Sequence, residues 1–196
     1  IDAFGFGISM LTKSDLILRD VDIYLSIKEH SPVLAMMTIT TADDDLCGKI
    51  EPAVAPSSGR FAAIRRMSDA GLYTGVVMTP LLPFLEDNEE NILEMVRRTK
   101  DSGARFLYGI MGVTIRDGQR EYFYEGLEKG FPGLNLPARY GKTYGNRYYC
   151  QSPGARKLWS VFEEACIKNG LLYRMEDIIH DYKKEYQYTQ LTFDFR

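Results

Sequence analysis

Three groups of residues in this sequence carry functional groups at spacings that could do chemistry. Lys13, in LTKSDLILRD (11–20), closes an apolar run. A cation there is either a solvated strand-end lysine or a ligand-binding group at the mouth of a barrel. In the second role its ammonium is a compact point charge suited to a carboxylate; a Schiff-base role would require a depressed lysine pKa. Thr38 and Thr40 flank Ile39, so on a strand both hydroxyls face one side. They either line a ligand site or simply suit a strand as β-branched residues. The third group is ARYGKTYGNRYYC (138–150), where Arg139, Lys142 and Arg147 alternate with Tyr140, Tyr144, Tyr148 and Tyr149 and no acidic residue intervenes. Guanidinium groups pair with phosphates, and aromatic faces stack on bases at about 1–3 kcal/mol each. The alternative is a loop whose tyrosines cover the open side of a sheet.

The elements that must position these residues follow from hydrophobic patterning. GISMLT (7–12), VLAMMTIT (33–40), LYTGVVMT (72–79) and ARFLYGIM (104–111) are short continuous apolar runs, the mark of strands covered on both faces. Helical patterns lie between them. Asp15 to Glu29 is amphipathic with a break near Asp20–Asp22; Ser57 or Ser58 can cap a helix reaching Ala70 before Gly71; Asp87 with Glu90 resembles a capping box for a helix ending at Gly103. Alternating β and α elements imply right-handed crossovers and a parallel sheet. In such proteins chemistry gathers at the carboxyl ends of the strands. Those ends read Thr12-Lys13-Ser14, Thr38-Ile39-Thr40-Thr41, Thr79-Pro80 and Met111-Gly112, whereas the amino ends offer glycine, proline and apolar residues.

Beyond Met111 the alternation stops. A short helix is expected within GQREYFYEGLEKGFPG, a loop over 135–152, and two helices over 153–187, the first opening at Ser152-Pro153 and the second near Met175. The expected domains are therefore a β/α unit over 1–115 and an α-helical extension over 116–196. The chain is an ordinary globular one, 45% hydrophobic and 26% charged. Its net charge of −3 gives no global basic field for nucleic acid, so such a contact must come from a local patch. No apolar run approaches the roughly 18 residues of a membrane span. Cys47, Cys150 and Cys166 are too far apart for a local metal loop and read as free thiols in a reducing cytoplasm. The chain starts at Ile1, almost directly in a strand, and reads as the later part of something longer.

LTKSDLILRDVDIY, MTITTADDDLCGKIEP and APSSGRFAAIRRMSDAGLYTGVVMTPLLPFLEDNEENI resemble, in order and spacing, the second half of radical S-adenosylmethionine proteins of the spore photoproduct lyase, or DNA repair photolyase-like, group. The resemblance covers residues 8 to 112, then continues more loosely through NRYYC and the following helix. It implies the last four strands of a six-strand partial (β/α) barrel of TIM type. In the group, three cysteines after the first strand hold a [4Fe–4S] cluster; this chain has no such triplet, so its own cysteines are expected to retain neither cluster nor activity. The implied activity of the parent is one-electron cleavage of S-adenosylmethionine to a 5′-deoxyadenosyl radical. The resemblance puts Lys13 at the cofactor's methionine carboxylate and offers Thr38 and Thr40 to its carboxylate or ribose. Pro80 and Pro83 would shape the adenine side, and Glu51-Pro52 matches without an assignable role. Arg139, Tyr140, Arg147 and Tyr148 would approach a nucleic acid or other anionic substrate.

Two further partners are expected. QLTFDF (190–195) resembles peptides that dock on bacterial sliding clamps. A sheet edge left open by missing units invites pairing with a second copy. Two rival readings stay open: a non-catalytic nucleic-acid or clamp-binding module on a β/α scaffold, and a cluster-free barrel enzyme with Lys13 as nucleophile.

Overall fold

The four apolar runs form strands β1 (Ile8–Thr12), β2 (Val33–Thr38), β3 (Tyr73–Met78) and β4 (Phe106–Gly109) in the computed structural model, which describes residues 1–186. They make one parallel sheet in the order β1-β2-β3-β4, with Met10 opposite Ala35, Met37 opposite Val76 and Val77 opposite Tyr108. The strand pleat divides each run between two faces. Val33, Ala35, Met37, Val76, Met78 and Leu107 join the main core with the helices. Leu34, Met36, Val77, Phe106 and Tyr108 face the other way, where Ile178 and Tyr182 cover them in part.

The helices follow the expected intervals with local shifts. The pattern from Asp15 breaks as anticipated: a 3-10 helix over Asp15–Asp20 is capped by the Ser14 hydroxyl, and α1 (Val21–Lys28) follows. A helix without a sequence-based expectation, α2 (Asp44–Ile50), starts at Asp43, whose carboxylate accepts from the Asp45 and Leu46 N–H groups. α3 (Ser57–Asp69) has Pro56 at its N-cap, so neither serine caps it; Ser58 instead bonds the Asp44 carboxylate. α4 (Glu89–Asp101) is capped by Asn88 rather than Asp87, whose Oδ1 accepts from Phe84 N–H at 2.6 Å. Left-handed Gly71 (φ 90°) and Gly103 (φ 77°) end these helices where a side chain would be strained.

The extension is not purely helical. It contains a strand, β6 (Tyr149–Gln151), which pairs antiparallel with β5 (Gly112–Thr114) at the end of the β/α unit. Between them lie α5 (Arg120–Gly130) and α6 (Leu136–Tyr144), so much of the loop expected over 135–152 is helix and strand. α7 (Ala155–Asn169) starts two residues beyond Pro153, and α8 (Met175–Lys183) starts as expected. Leu158, Phe162 and Cys166 of α7 complete the main core beside Ile92 and Met95 of α4. Leu172, after α7, bonds both Arg105 and Leu107 and thereby closes the β4 edge. Among the described strands nothing pairs with the outer edge of β1, and Phe4, Phe6, Leu11 (53% exposed) and Leu16 are exposed around it. No described helix is long and apolar enough to cross a membrane.

Candidate functional site

At the carboxyl end of the sheet the β1–β2 register decides where Lys13 lies. One residue past the Thr12–Met37 pair, Lys13 comes opposite Thr38. The pleat puts both on the face of Leu34 and Met36, away from the main helices. The turn that follows is fixed locally: Thr12 Oγ1 accepts from Ser14 N–H at 3.1 Å, and Ser14 Oγ accepts from Leu16 N–H at 3.3 Å.

The Lys13 ammonium, on a side chain 37% exposed, meets the Glu51 carboxylate. Glu51 follows α2 and extends its other oxygen to Arg60 Nη2 at 2.6 Å. Arg60 is 1% exposed and spends its remaining donors on Ala55 O (2.7 Å), Thr38 O (2.8 Å) and Cys47 Sγ (3.5 Å). A planar guanidinium can serve several acceptors at fixed angles, which an ammonium cannot. The role that the sequence left open for Glu51 is thus a bridge: it ties an outward lysine to a buried arginine.

A second carboxylate stands behind this bridge. Glu86, in the turn MTPLLPFLED after β3, is 0% exposed; its Oε2 accepts from Leu82 N–H at 2.7 Å, and its Oε1 has no hydrogen-bond partner. Burial pushes its carboxyl up to about 7, opposed by the Thr40 hydroxyl and the Leu82 N–H; the charge of Glu51 raises it further and that of Lys13 lowers it. Asn91 of α4 locks the surrounding turns, accepting from Ala42 N–H at 3.0 Å and donating to Thr40 O at 2.9 Å and Glu86 O at 3.0 Å. Thr38 and Thr40 are both buried. Pro83 presents its carbonyl to Tyr140.

The third group of candidate residues is divided by the structure. Tyr140, on α6, is 0% exposed, donates to Pro83 O at 3.1 Å and lies edge-on to Phe84 and Phe123 at 5.3 Å. This corrects its assignment to substrate binding, because a ring packed on all sides offers no face to a base. Arg139 is exposed and stacks 4.3 Å over Phe84. Arg147 and Tyr148 (58% exposed) lie in the turn between α6 and β6, with the Arg147 carbonyl held by Arg120 at 3.0 Å. Lys13, Thr38 and Thr40 therefore share one rim, Tyr140 supports it from behind, and Arg147 and Tyr148 stand on a separate exposed turn.

The cysteines do not suit an iron–sulfur cluster. Cys47, Cys150 and Cys166 are all buried, Cys150 and Cys166 in different hydrophobic clusters. Burial pushes the Cys166 thiol up to about 12 and raises that of Cys150, the opposite of what thiolate ligation needs. Among the described residues no group of His, Cys, Asp and Glu is placed to hold a metal ion. At the rim, the Lys13 ammonium pairs with Glu51, and Glu86 keeps one buried oxygen without a hydrogen-bond partner.

Comparisons with known proteins agree with the fold. No protein-family model matches the chain. It is 28% identical over 142 residues to an uncharacterized protein of Mycobacterium tuberculosis, covering 72% of this chain and 41% of the relative. An uncharacterized protein of Methanocaldococcus jannaschii is 33% identical over 82 residues, 42% of this chain and 30% of the relative. The chain thus spans well under half of the length of these curated relatives. Among solved structures, spore photoproduct lyase complexed with dinucleoside spore photoproduct superposes with a TM-score of 0.57 at 18% identity, over 82% of this chain and 48% of that one. A point variant of the same enzyme gives 0.58 at 17% identity, over 84% and 50%. At these identities the likeness is one of fold.

Proposed function

We propose that this chain is the carboxyl-terminal portion of a cytoplasmic radical S-adenosylmethionine enzyme of the spore photoproduct lyase type. The reading is carried by one observation: Lys13 directly follows β1 at the carboxyl end of a parallel sheet, in a chain that superposes over 82% of its length on 48% of spore photoproduct lyase. Fold alone does not assign chemistry, so the weight falls on the rim residues. The Lys13 ammonium takes the cofactor's carboxylate, sharing it with Glu51, while Thr38 and Thr40 limit the space beside it. Cysteines outside this chain would hold the cluster, which would supply one-electron reduction to a cofactor that Lys13 orients. Exposed Arg147 and Tyr148, with Arg139 nearby on α6, meet an anionic substrate, for which DNA is the first candidate. The open β1 edge is covered by a further strand, from the same polypeptide or from a second copy.

A second reading, a nucleic-acid-binding module without catalysis, is favoured only by the exposed Arg147–Tyr148 turn. The clamp-docking peptide 190–195 lies outside the described residues. Anaerobic reconstitution of the full-length protein with iron and sulfide separates the two. The enzyme reading expects a cluster spectrum and release of 5′-deoxyadenosine, with release lost on Lys13→Ala. Absence of both signals in the wild type overturns it.

A further inference from the structure

A cleft of about 280 Å³ opens between α3 and α4, on the helical layer and not on the sheet face that carries Lys13. Its walls are two helix stripes: Ser58, Phe61 and Arg65 recur at helical spacing along α3, and Arg97, Arg98 and Asp101 do so along α4. Three guanidinium groups against one carboxylate leave this lining with two positive charges, in a chain whose net charge is −3.

Two of the three arginines are already set in place. Arg98 lies over the Phe61 ring, 4.8 Å from its centroid, and one of its nitrogens bonds the Ala42 carbonyl. Arg97 is held by Glu94 at 2.8 Å and by Asp101 at 2.6 Å. Arg65, on the opposite wall, is exposed and has no hydrogen bond or ion pair among the described residues. The Ser58 hydroxyl is turned to the Asp44 carboxylate. Asp44 and Glu94 sense the Arg98 charge, but no carboxylate bonds Arg98 or Arg65. Guanidinium groups on facing stripes repel one another unless an anion lies between them, and their planar donors match phosphate oxygens. A phosphate monoester brings close to two negative charges at neutral pH, which balances the lining; a carboxylate would leave one charge unmatched. Because Arg98 and Arg97 are fixed beforehand, little side-chain freedom is lost on binding.

We propose that the cleft between α3 and α4 is a phosphate-monoester site, in which Arg65 and Arg98 clamp the phosphate from opposite walls and Arg97 borders it. The site is independent of the Lys13 rim. Free phosphate, a mononucleotide and the 5′-phosphate end of a nucleic-acid strand share this chemistry.

Phosphorus NMR titrations of the full-length protein at pH 8 with inorganic phosphate, thymidine 5′-monophosphate and a 5′-phosphorylated trinucleotide test the site and tell the sources apart. Saturable binding of at least one probe is expected, and Arg65→Ala should weaken it about tenfold. The melting curve of Arg65→Ala should match the wild type, since the side chain has no partner to lose, so the weakening reports the site and not the fold. Lys13→Ala and Arg147→Ala should leave this binding unchanged. Equal affinity for all three probes assigns the site to the phosphate alone; tighter binding of the nucleotide or of the trinucleotide identifies the source. No saturable binding below about 10 mM, or binding that survives Arg65→Ala at wild-type strength, overturns the proposal.

Discussion

Glu51 meets Arg60 at 2.6 Å although Arg60 is 1% exposed, and the same carboxylate holds Lys13 at its other oxygen. The pair therefore joins the end of β1 to the end of β2 through α2 and α3, with Arg60 also bonding the Thr38 carbonyl. Removing the arginine leaves a carboxylate and a carbonyl without their donor inside the rim. Arg60→Ala should cost about 3–5 kcal/mol in chemical denaturation. Arg60→Lys should recover only part of this, because the Glu51 carboxylate, the Ala55 and Thr38 carbonyls and the Cys47 sulfur diverge and need the guanidinium fork. A loss under 1 kcal/mol for Arg60→Ala would show that the bridge is not part of the folded rim.

Gly75 lies under the ring of Phe106 on the neighbouring strand; a Cβ added there would come within 2.0 Å of the ring. The sheet face opposite the main helices depends on this close approach. Gly75→Ala should destabilise by at least 1–3 kcal/mol through overpacking. Gly75→Ala combined with Phe106→Leu should recover part of the loss, and thermal melts of the two variants check it.

The sheet was legible in the sequence because β2, β3 and β4 are largely buried on both faces and so read as unbroken apolar runs; β1 reads the same way although its Ser9 and Leu11 face is exposed, which corrects the expectation that it is covered on both sides. Their carboxyl ends, with Lys13 and Thr38, were legible for the same reason. Arg60 and Asn91 left a subtler signal: each sits on the apolar stripe of its helix, Arg60 with Ile64 and Met67, Asn91 with Met95, where a polar residue must find buried partners. Glu86 looked like one acid among several in LEDNEE, and only the tertiary turn reveals that it is inside while Asp87 and Asn88 serve local caps. Tyr140 misled because an Arg/Tyr alternation looks the same on a binding loop and on a helix with one packed face; its spacing to Leu136 and Tyr144 was the available clue.

The pH dependence of stability should carry the mark of Glu86. Its folded carboxyl is pushed up to about 7 from an ordinary value of 4.5, so between those values the folded state binds more proton than the unfolded state. Stability contributed by this group therefore falls as pH rises through that window and levels off above it. The full effect is of order 3 kcal/mol. Glu86→Gln should match the wild type within about 1 kcal/mol near pH 4 and exceed it by about 2–3 kcal/mol at pH 8. Urea denaturation at the two pH values measures the difference; a gap that does not widen with pH would show that Glu86 is ionised at no cost in the fold.

Tyr140 and Arg147 belong to the same basic and aromatic segment, but their surroundings predict opposite behaviour. Tyr140 is wholly packed among Phe84, Phe123 and Tyr144, so Tyr140→Ala should lose about 3–5 kcal/mol of stability, and Tyr140→Phe about 1 kcal/mol for the bond to Pro83 O. Arg147 and Tyr148 are exposed, so Arg147→Ala and Tyr148→Ala should leave the melting curve within about 0.5 kcal/mol of wild type. If the turn meets nucleic acid, the same two variants should each weaken binding of a single-stranded oligonucleotide by about 1–3 kcal/mol for the stacking ring and flatten the salt dependence for the arginine. Fluorescence anisotropy over a salt series reads both effects. Wild-type affinity in both variants would remove the turn from any nucleic-acid interface, whatever the rim at Lys13 binds.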